Sequence, residues 1–168
     1  MLKSLCALAL VCCLFCLSGC GTKLPDALTP GLQVPYTRVT YLDGGYDTIH
    51  RYRGTKLAVL FWAKWCSKSR GQLDAFNRIA RDYSPKTGGS KTTFLAVNLD
   101  DFKVEDDLRR YLEAQGITSV KHVFSGNGAD DEAALAFRAF EIPIVFVVDE
   151  QGVVKLTSFD VDDIREHL

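Results

Sequence analysis

The chain has 168 residues, 47% of them hydrophobic, and a formal net charge of −1. That length suits one domain with a short appendage and leaves little room for a second folded unit. The near-neutral charge, with no block rich in arginine and lysine, argues against a nucleic-acid partner.

Five of the six cysteines, Cys6, Cys12, Cys13, Cys16 and Cys20, fall in the first twenty residues, so only Cys66 belongs to the body of the chain. Lys3, an apolar run over 5–17, and the small residues Ser18 and Gly19 ahead of Cys20 form the layout of a secretory signal. The run is too short to span a bilayer comfortably, which takes about 20 residues. An uncleaved anchor and a signal cut elsewhere are the alternatives. Leu17-Ser18-Gly19-Cys20 resembles the bacterial lipobox. That resemblance implies a signal peptide over 1–19, a lipid on Cys20 as the mature amino terminus, and an extracytoplasmic protein anchored to a bacterial membrane, facing the periplasm. The mature protein then holds one free thiol and no internal disulfide, a notable state in an oxidising compartment.

Pro25, Pro30 and Pro35 punctuate a stretch without apolar periodicity, so residues 20–38 read as the lipidated cysteine and a flexible tether, and the folded domain as 39–168. Residues 39–42, the turn Asp43-Gly44-Gly45 and residues 46–49 read as a β-hairpin. The apolar run 57–60 reads as a buried strand. From Cys66 onward, Leu73, Phe76, Ala80 and Tyr83 recur at helical spacing and stop before Pro85, with a turn at Gly88-Gly89. Residues 92–99 form the next strand. Asp100 and Asp101 read as helix-start residues for a segment with Val104, Leu108, Tyr111 and Leu112 on its apolar face, closed by Gly116. A strand over 120–124, a polar loop over 125–131 and a helix over 132–140 follow. Ile142-Pro143 opens a strand over 144–148, residues 149–152 turn into a hairpin partner over 153–157, and a short helix is expected from Val161. Strands alternating with helices and ending in a hairpin predict an α/β fold: a mixed central sheet with helices on both faces and an amino-terminal β-hairpin.

The stretch Phe61-Trp62-Ala63-Lys64-Trp65-Cys66-Ser67-Lys68-Ser69 places Cys66 at a strand-to-helix junction. There the free backbone N–H groups and the helix dipole favour a thiolate. The motif, the hairpin with the following Arg51-Tyr52-Arg53-Gly54, and Ile142-Pro143 resemble the thioredoxin superfamily, in particular the TlpA/ResA-like extracytoplasmic proteins. The resemblance implies a thioredoxin-like fold over about 39–168, a cis Ile142–Pro143 bond opposite Cys66, catalytic roles for Cys66 and Ser69, and a substrate groove formed by Trp62, Lys64, Trp65, Lys68, Ile142 and Pro143. The sequence departs from the family at Ser69, where the second cysteine of W-C-x-x-C would stand. Leu60 replaces the buried aspartate of thioredoxin, Gln72 and Asp74 replace a frequent glutamate and proline, and Lys68 replaces the proline before the second cysteine.

A dithiol site attacks a disulfide with its first thiolate and releases the product with its second. Ser69 cannot perform the second step. Lys64 and Lys68 flank the thiol, and Ser69 is placed to donate a hydrogen bond to the sulfur. Trp62 and Trp65 read equally as packing residues or as a substrate platform. His50, His122 and His167 are scattered, and one cysteine does not make the pair that copper-binding relatives use, so neither a metal nor another cofactor is expected. Two functions remain: a membrane-anchored monothiol exchange protein whose partners are protein or small-molecule thiols and disulfides, and a redox-inactive thioredoxin-fold binding or assembly module. A peroxidase lacks its threonine-containing motif here.

Overall fold

The computed structural model describes residues 26–83 and 91–168. The proposed lipidation site Cys20, the signal segment and the turn at Gly88-Gly89 lie outside the described residues. A five-stranded sheet has the order β5-β4-β3-β6-β7, made by β3 (Lys56–Trp62), β4 (Thr92–Asn98), β5 (Lys121–Phe124), β6 (Ile144–Val148) and β7 (Val154–Ser158). β3, β4 and β5 are parallel, and β6 and β7 join antiparallel. A separate two-stranded hairpin pairs β1 (Arg38–Thr40) with β2 (Tyr46–Thr48). The helices are α1 (Ser67–Asp82), α2 (Glu105–Ala114) and α3 (Glu132–Phe137).

The run 57–62 alternates between two cores. Leu57, Val59 and Phe61 face one, and Ala58, Leu60 and Trp62 face the other. An apolar side chain on every strand position is what a sheet covered on both faces requires. Over the second face, Leu73, Phe76, Ile79 and Ala80 of α1 and Leu108 and Leu112 of α2 meet Phe94, Ala96, Val145 and Val147. Over the first face, Phe137 of α3 packs on Phe61 and Phe146 with ring centroids 5.3 and 5.0 Å apart.

The amino-terminal boundary differs from the expected tether. Residues 26–34 lie on the domain: Leu28 and Val34 are buried, Gly31 N–H donates to Val154 C=O at 2.8 Å, and Val34 N–H donates to Gly152 C=O at 3.0 Å. Leu32, an even number of positions from both, is exposed, so no strand alternation marks Leu28 and Val34, and their burial is set by the partner strand. The expected carboxyl-terminal helix is a 3₁₀ helix, Val161–His167. It covers the second face with Val161 and Ile164, and Gln72 Oε1 accepts a 2.7 Å hydrogen bond from Val161 N–H. Helix α3 stops at Phe137, three residues short of the expected end, because Arg138 adopts φ 55° and turns the chain away.

Candidate active site

Four residues separate the end of β3 from the start of α1, and Cys66 is the N-cap of α1 with φ −87° and ψ 113°. Its carbonyl accepts the Arg70 N–H at 3.2 Å, the first bond of the helix. Its thiol sits half-exposed above the free N–H groups of the first turn. The Ser69 hydroxyl is the strongest influence lowering the thiol's pKa. The Ser69 and Lys68 backbone N–H groups and the Arg70 guanidinium push the same way, against the upward effect of burial. Ser69 is fully buried, and its Oγ has no aligned hydrogen-bond partner. These two facts fit one picture. A neutral thiol is a poor acceptor, so the hydroxyl points towards sulfur without a formed bond, and ionisation of Cys66 supplies the acceptor that it lacks.

The lysines play a different part from the one expected of them. Lys64 Nζ pairs with the Asp107 carboxylate and lies 5.9 Å from the Tyr111 ring centroid, so its charge is engaged with α2. Lys68 reaches the thiol through its backbone N–H, with its side chain in solvent. Arg70 is the nearby cation, and it also donates to Lys64 C=O at 2.7 Å.

Asp100 is likewise not a helix-start residue. It is buried, and its Oδ2 accepts the Lys64 N–H at 2.8 Å and the Asn98 Nδ2–H at 2.6 Å, while its own N–H donates to Asn98 Oδ1 at 3.0 Å. Leu99 N–H adds a 2.8 Å bond to Trp62 C=O. The end of β4 therefore fixes the loop that presents Cys66, a role that sequence reading missed. Its only signal was a polar pair, Asn98 and Asp100, at the end of a strongly apolar strand. Asp101 does act as a cap, accepting the Lys103 N–H at 3.1 Å.

The two tryptophans divide. Trp62 is fully buried with its ring 6.2 Å from that of Tyr111, so it belongs to the core and not to a groove wall. Trp65 is 70% exposed beside Cys66. Ile142 is half-buried and Pro143 buried, and the bond between them is cis. The pairing of Ile144 with Phe61 sets Pro143 beside the end of β3, the end from which the Cys66 loop leaves. Leu60, in place of a buried acid, is fully buried on the α1 face. Burial lowers the His122 pKa, its Nε2 lies 2.9 Å from Ile117 C=O, and the His50 ring is tilted against that of Tyr36. Among the described residues no group of three or more histidines, cysteines or carboxylates is placed to hold a metal ion.

The sheet order, the helices on both faces and the cysteine N-cap after the central strand define a thioredoxin-like α/β fold. No protein-family model matches the chain. In sequence it is similar to the thioredoxin-like protein YneN of Bacillus subtilis, 23% identical over 135 residues that cover 80% of this chain and 74% of that protein. It is also similar to the thiol-disulfide oxidoreductase ResA of Geobacillus kaustophilus, 26% identical over 145 residues, 84% of this chain and 78% of that one. In structure it resembles the thioredoxin domain of a thiol-disulfide oxidoreductase from Bacteroides vulgatus, with a TM-score of 0.70, 18% identity, and coverage of 84% of this chain and 96% of that domain. Together these likenesses agree with the thioredoxin-like fold.

Proposed function

We propose that this protein carries out thiol-disulfide exchange through Cys66 alone, held outside the cytoplasm by a lipid on Cys20. The observation that carries this reading is the environment of Cys66. A half-exposed thiol at a helix N-terminus is lowered in pKa by a buried hydroxyl, two backbone N–H groups and an arginine, an arrangement suited to a nucleophilic thiolate. The named activities of the sequence relatives agree with it.

In the first step the Cys66 thiolate attacks one sulfur of a substrate disulfide. The S–S bond breaks, a new bond forms to Cys66 Sγ, and the other half departs as a thiolate. In a dithiol site the next attack comes from within the protein. Here the residue one turn on is Ser69, so an external thiolate must attack the mixed disulfide and expel Cys66 as the leaving group. The features that stabilise the Cys66 thiolate also make it a good leaving group, so formation and release proceed with comparable ease. The substrate site in this reading is the surface between Trp65 and Ile142–Pro143, at the end of β3 from which the Cys66 loop leaves.

The decisive measurement is mass spectrometry of the protein isolated with free thiols blocked, and of the purified chain treated with a model disulfide. A one-to-one adduct on Cys66 that a small thiol removes is the expected result. A Cys66 that stays unmodified, with the alkylation profile of an ordinary thiol, overturns exchange in favour of a binding module. The anchor is tested separately: Cys20→Ser should release the protein from membranes or stall its processing, and unchanged membrane retention with an intact amino terminus rejects lipidation.

A further inference from the structure

Residues 26–34 travel along the outer edge of β7 in a definite direction. Thr157 Oγ donates to Leu28 C=O at 2.5 Å, Gly31 N–H to Val154 C=O at 2.8 Å, Val154 N–H to Leu32 C=O at 2.9 Å, and Val34 N–H to Gly152 C=O at 3.0 Å. As the numbering rises from 28 to 34, the partner falls from 157 to 152. The segment is therefore antiparallel to β7. Strand β7 ends at the edge of the sheet where β6 begins and β3 ends, since Val145 pairs with Ser158 and Ile144 with Phe61. The chain thus enters the domain at the Cys66 end. Asp26 and Ala27 line one surface cavity there with Glu141, Ile144 and Phe159.

Five residues separate Cys20 from Asp26, six steps along the backbone. Fully extended, they reach at most about 20–22 Å. The sheet itself is about 23 Å long at seven residues and 3.3 Å per residue, so the opposite end, at the turn Asp149–Gly152, lies one domain length farther from the anchor. The Cys66 end also carries three exposed aromatic residues: Trp65 (70%), Phe102 (65%) and Phe159 (48%). They follow β3, β4 and β7, so the strand order sets them in the row Phe102, Trp65, Phe159 along this end of the sheet. Phe102 is held there by its N–H on Gly126 C=O at 2.9 Å, and Gly126 has φ +73° with space so tight that a Cβ would stand 2.7 Å from Phe102 Cβ. A partner docking here meets apolar ring area arranged around the thiol.

We propose that Cys66 faces the bilayer and acts on thiols or disulfides of membrane-held proteins that stand within about 20 Å of the lipid headgroups. This rests on the proposed lipidation of Cys20 and on the exchange activity of Cys66. Docking of the aromatic row into the lipid itself is the competing arrangement, and it would block the thiol.

The test uses the full lipidated chain in phosphatidylethanolamine–phosphatidylglycerol vesicles, with a peptide disulfide tethered to lipid by a short spacer and the same peptide free in solution. A variant with thirty Gly/Ser residues inserted between Lys23 and Leu24 lengthens the tether sixfold. Effective concentration falls roughly as the −3/2 power of tether length, so adduct formation with the tethered disulfide should slow about fifteenfold, while the soluble one reacts unchanged. Were Cys66 turned away from the bilayer, the insertion would speed the tethered reaction, and that outcome or an equal rate overturns the proposal. A small fluorophore on Cys66 should also be quenched several-fold more by headgroup-attached spin labels than one on Cys66→Ser/Gln151→Cys. Equal quenching refutes the orientation. Quenching of Trp65 by brominated lipid tails would place the row in the bilayer and overturn the protein-partner reading. Failure of the protein to float with vesicles rejects the anchor and this proposal together, and failure to react with the soluble disulfide rejects the exchange reading.

Discussion

Helices α1 and α3 both begin where a loop leaves the sheet, and their first turns are completed differently. At α3 the N-cap is Asp131, buried, with Oδ1 accepting from Ala133 N–H at 2.9 Å and Ala134 N–H at 3.0 Å. At α1 the N-cap is Cys66, whose side chain makes no capping hydrogen bond as a thiol. A carboxylate closes one helix, and at the other stands a thiol that becomes an anion only on ionisation. The open first turn of α1 is stabilised only when Cys66 ionises, so the same N–H groups that a carboxylate would occupy are kept for a thiolate. The capped start of α3 instead holds a six-residue helix in place where Phe137 packs on Phe61.

The most drastic way to remove the contrast is Cys66→Asp, which gives both helices the same kind of cap. All disulfide exchange should vanish, and the domain should gain about 1 kcal/mol in denaturant unfolding, within the usual range for a favourable N-cap. A variant that lost activity without gaining stability would show that the first turn of α1 is already satisfied. Ser69→Cys sharpens the contrast in the other direction. It should form an internal disulfide with Cys66 and create reductase turnover with a supplied reductant, because the missing resolving step is restored. An inert variant would mean that the groove no longer admits a disulfide.

Opening the second helix should have an intermediate effect. Asp131→Ala should cost about 1–2 kcal/mol, lowering the melting temperature by several degrees, while the alkylation profile of Cys66 stays as in wild type. A shift in that profile would couple the two helix starts, whose helices pack on opposite faces of the sheet. Ser69→Ala is the finest adjustment: removal of the hydroxyl should raise the Cys66 pKa and slow alkylation near neutral pH a few-fold. The pH dependence of stability follows the same logic. Because the folded-state pKa of Cys66 lies below the unfolded value, its thiolate contributes stability that is fully present above the ordinary thiol range and is lost as pH falls through the folded pKa. Wild type minus Cys66→Ser in unfolding free energy should grow as pH rises through that window, and a flat difference would contradict the lowered pKa.

Much of this was legible in the residues. The unbroken apolar strands, the helical spacing of Leu73, Phe76 and Ala80, and the W-C-x-x-S junction each depend on near neighbours, and local spacing is what a sequence displays directly. The alternation of 57–62 between two cores follows from the two-residue period of a strand, so the doubly covered sheet was implied before any contact was known.

What sequence could not supply was the outcome of choices between like residues at a distance. Trp62 and Trp65 are three positions apart and chemically identical, yet one closes the core and the other faces solvent, because β3 ends between them. Asp100 and Asp101 are adjacent, and the one whose carboxylate reaches Lys64 N–H braces the site while the other caps a 3₁₀ turn. Arg70, more distant in sequence than Lys64, supplies the cation because Asp107 and Tyr111 of α2 hold Lys64 away. The sequence by itself determined the strands, the helix that carries Cys66 and the loss of a resolving thiol, since these rest on periodicity and residue identity. Only the tertiary structure decided which charge, which carboxylate and which indole serve the thiol, and at which end of the sheet the chain enters, because hydrogen bonds and burial between distant segments are fixed only when the strands have paired.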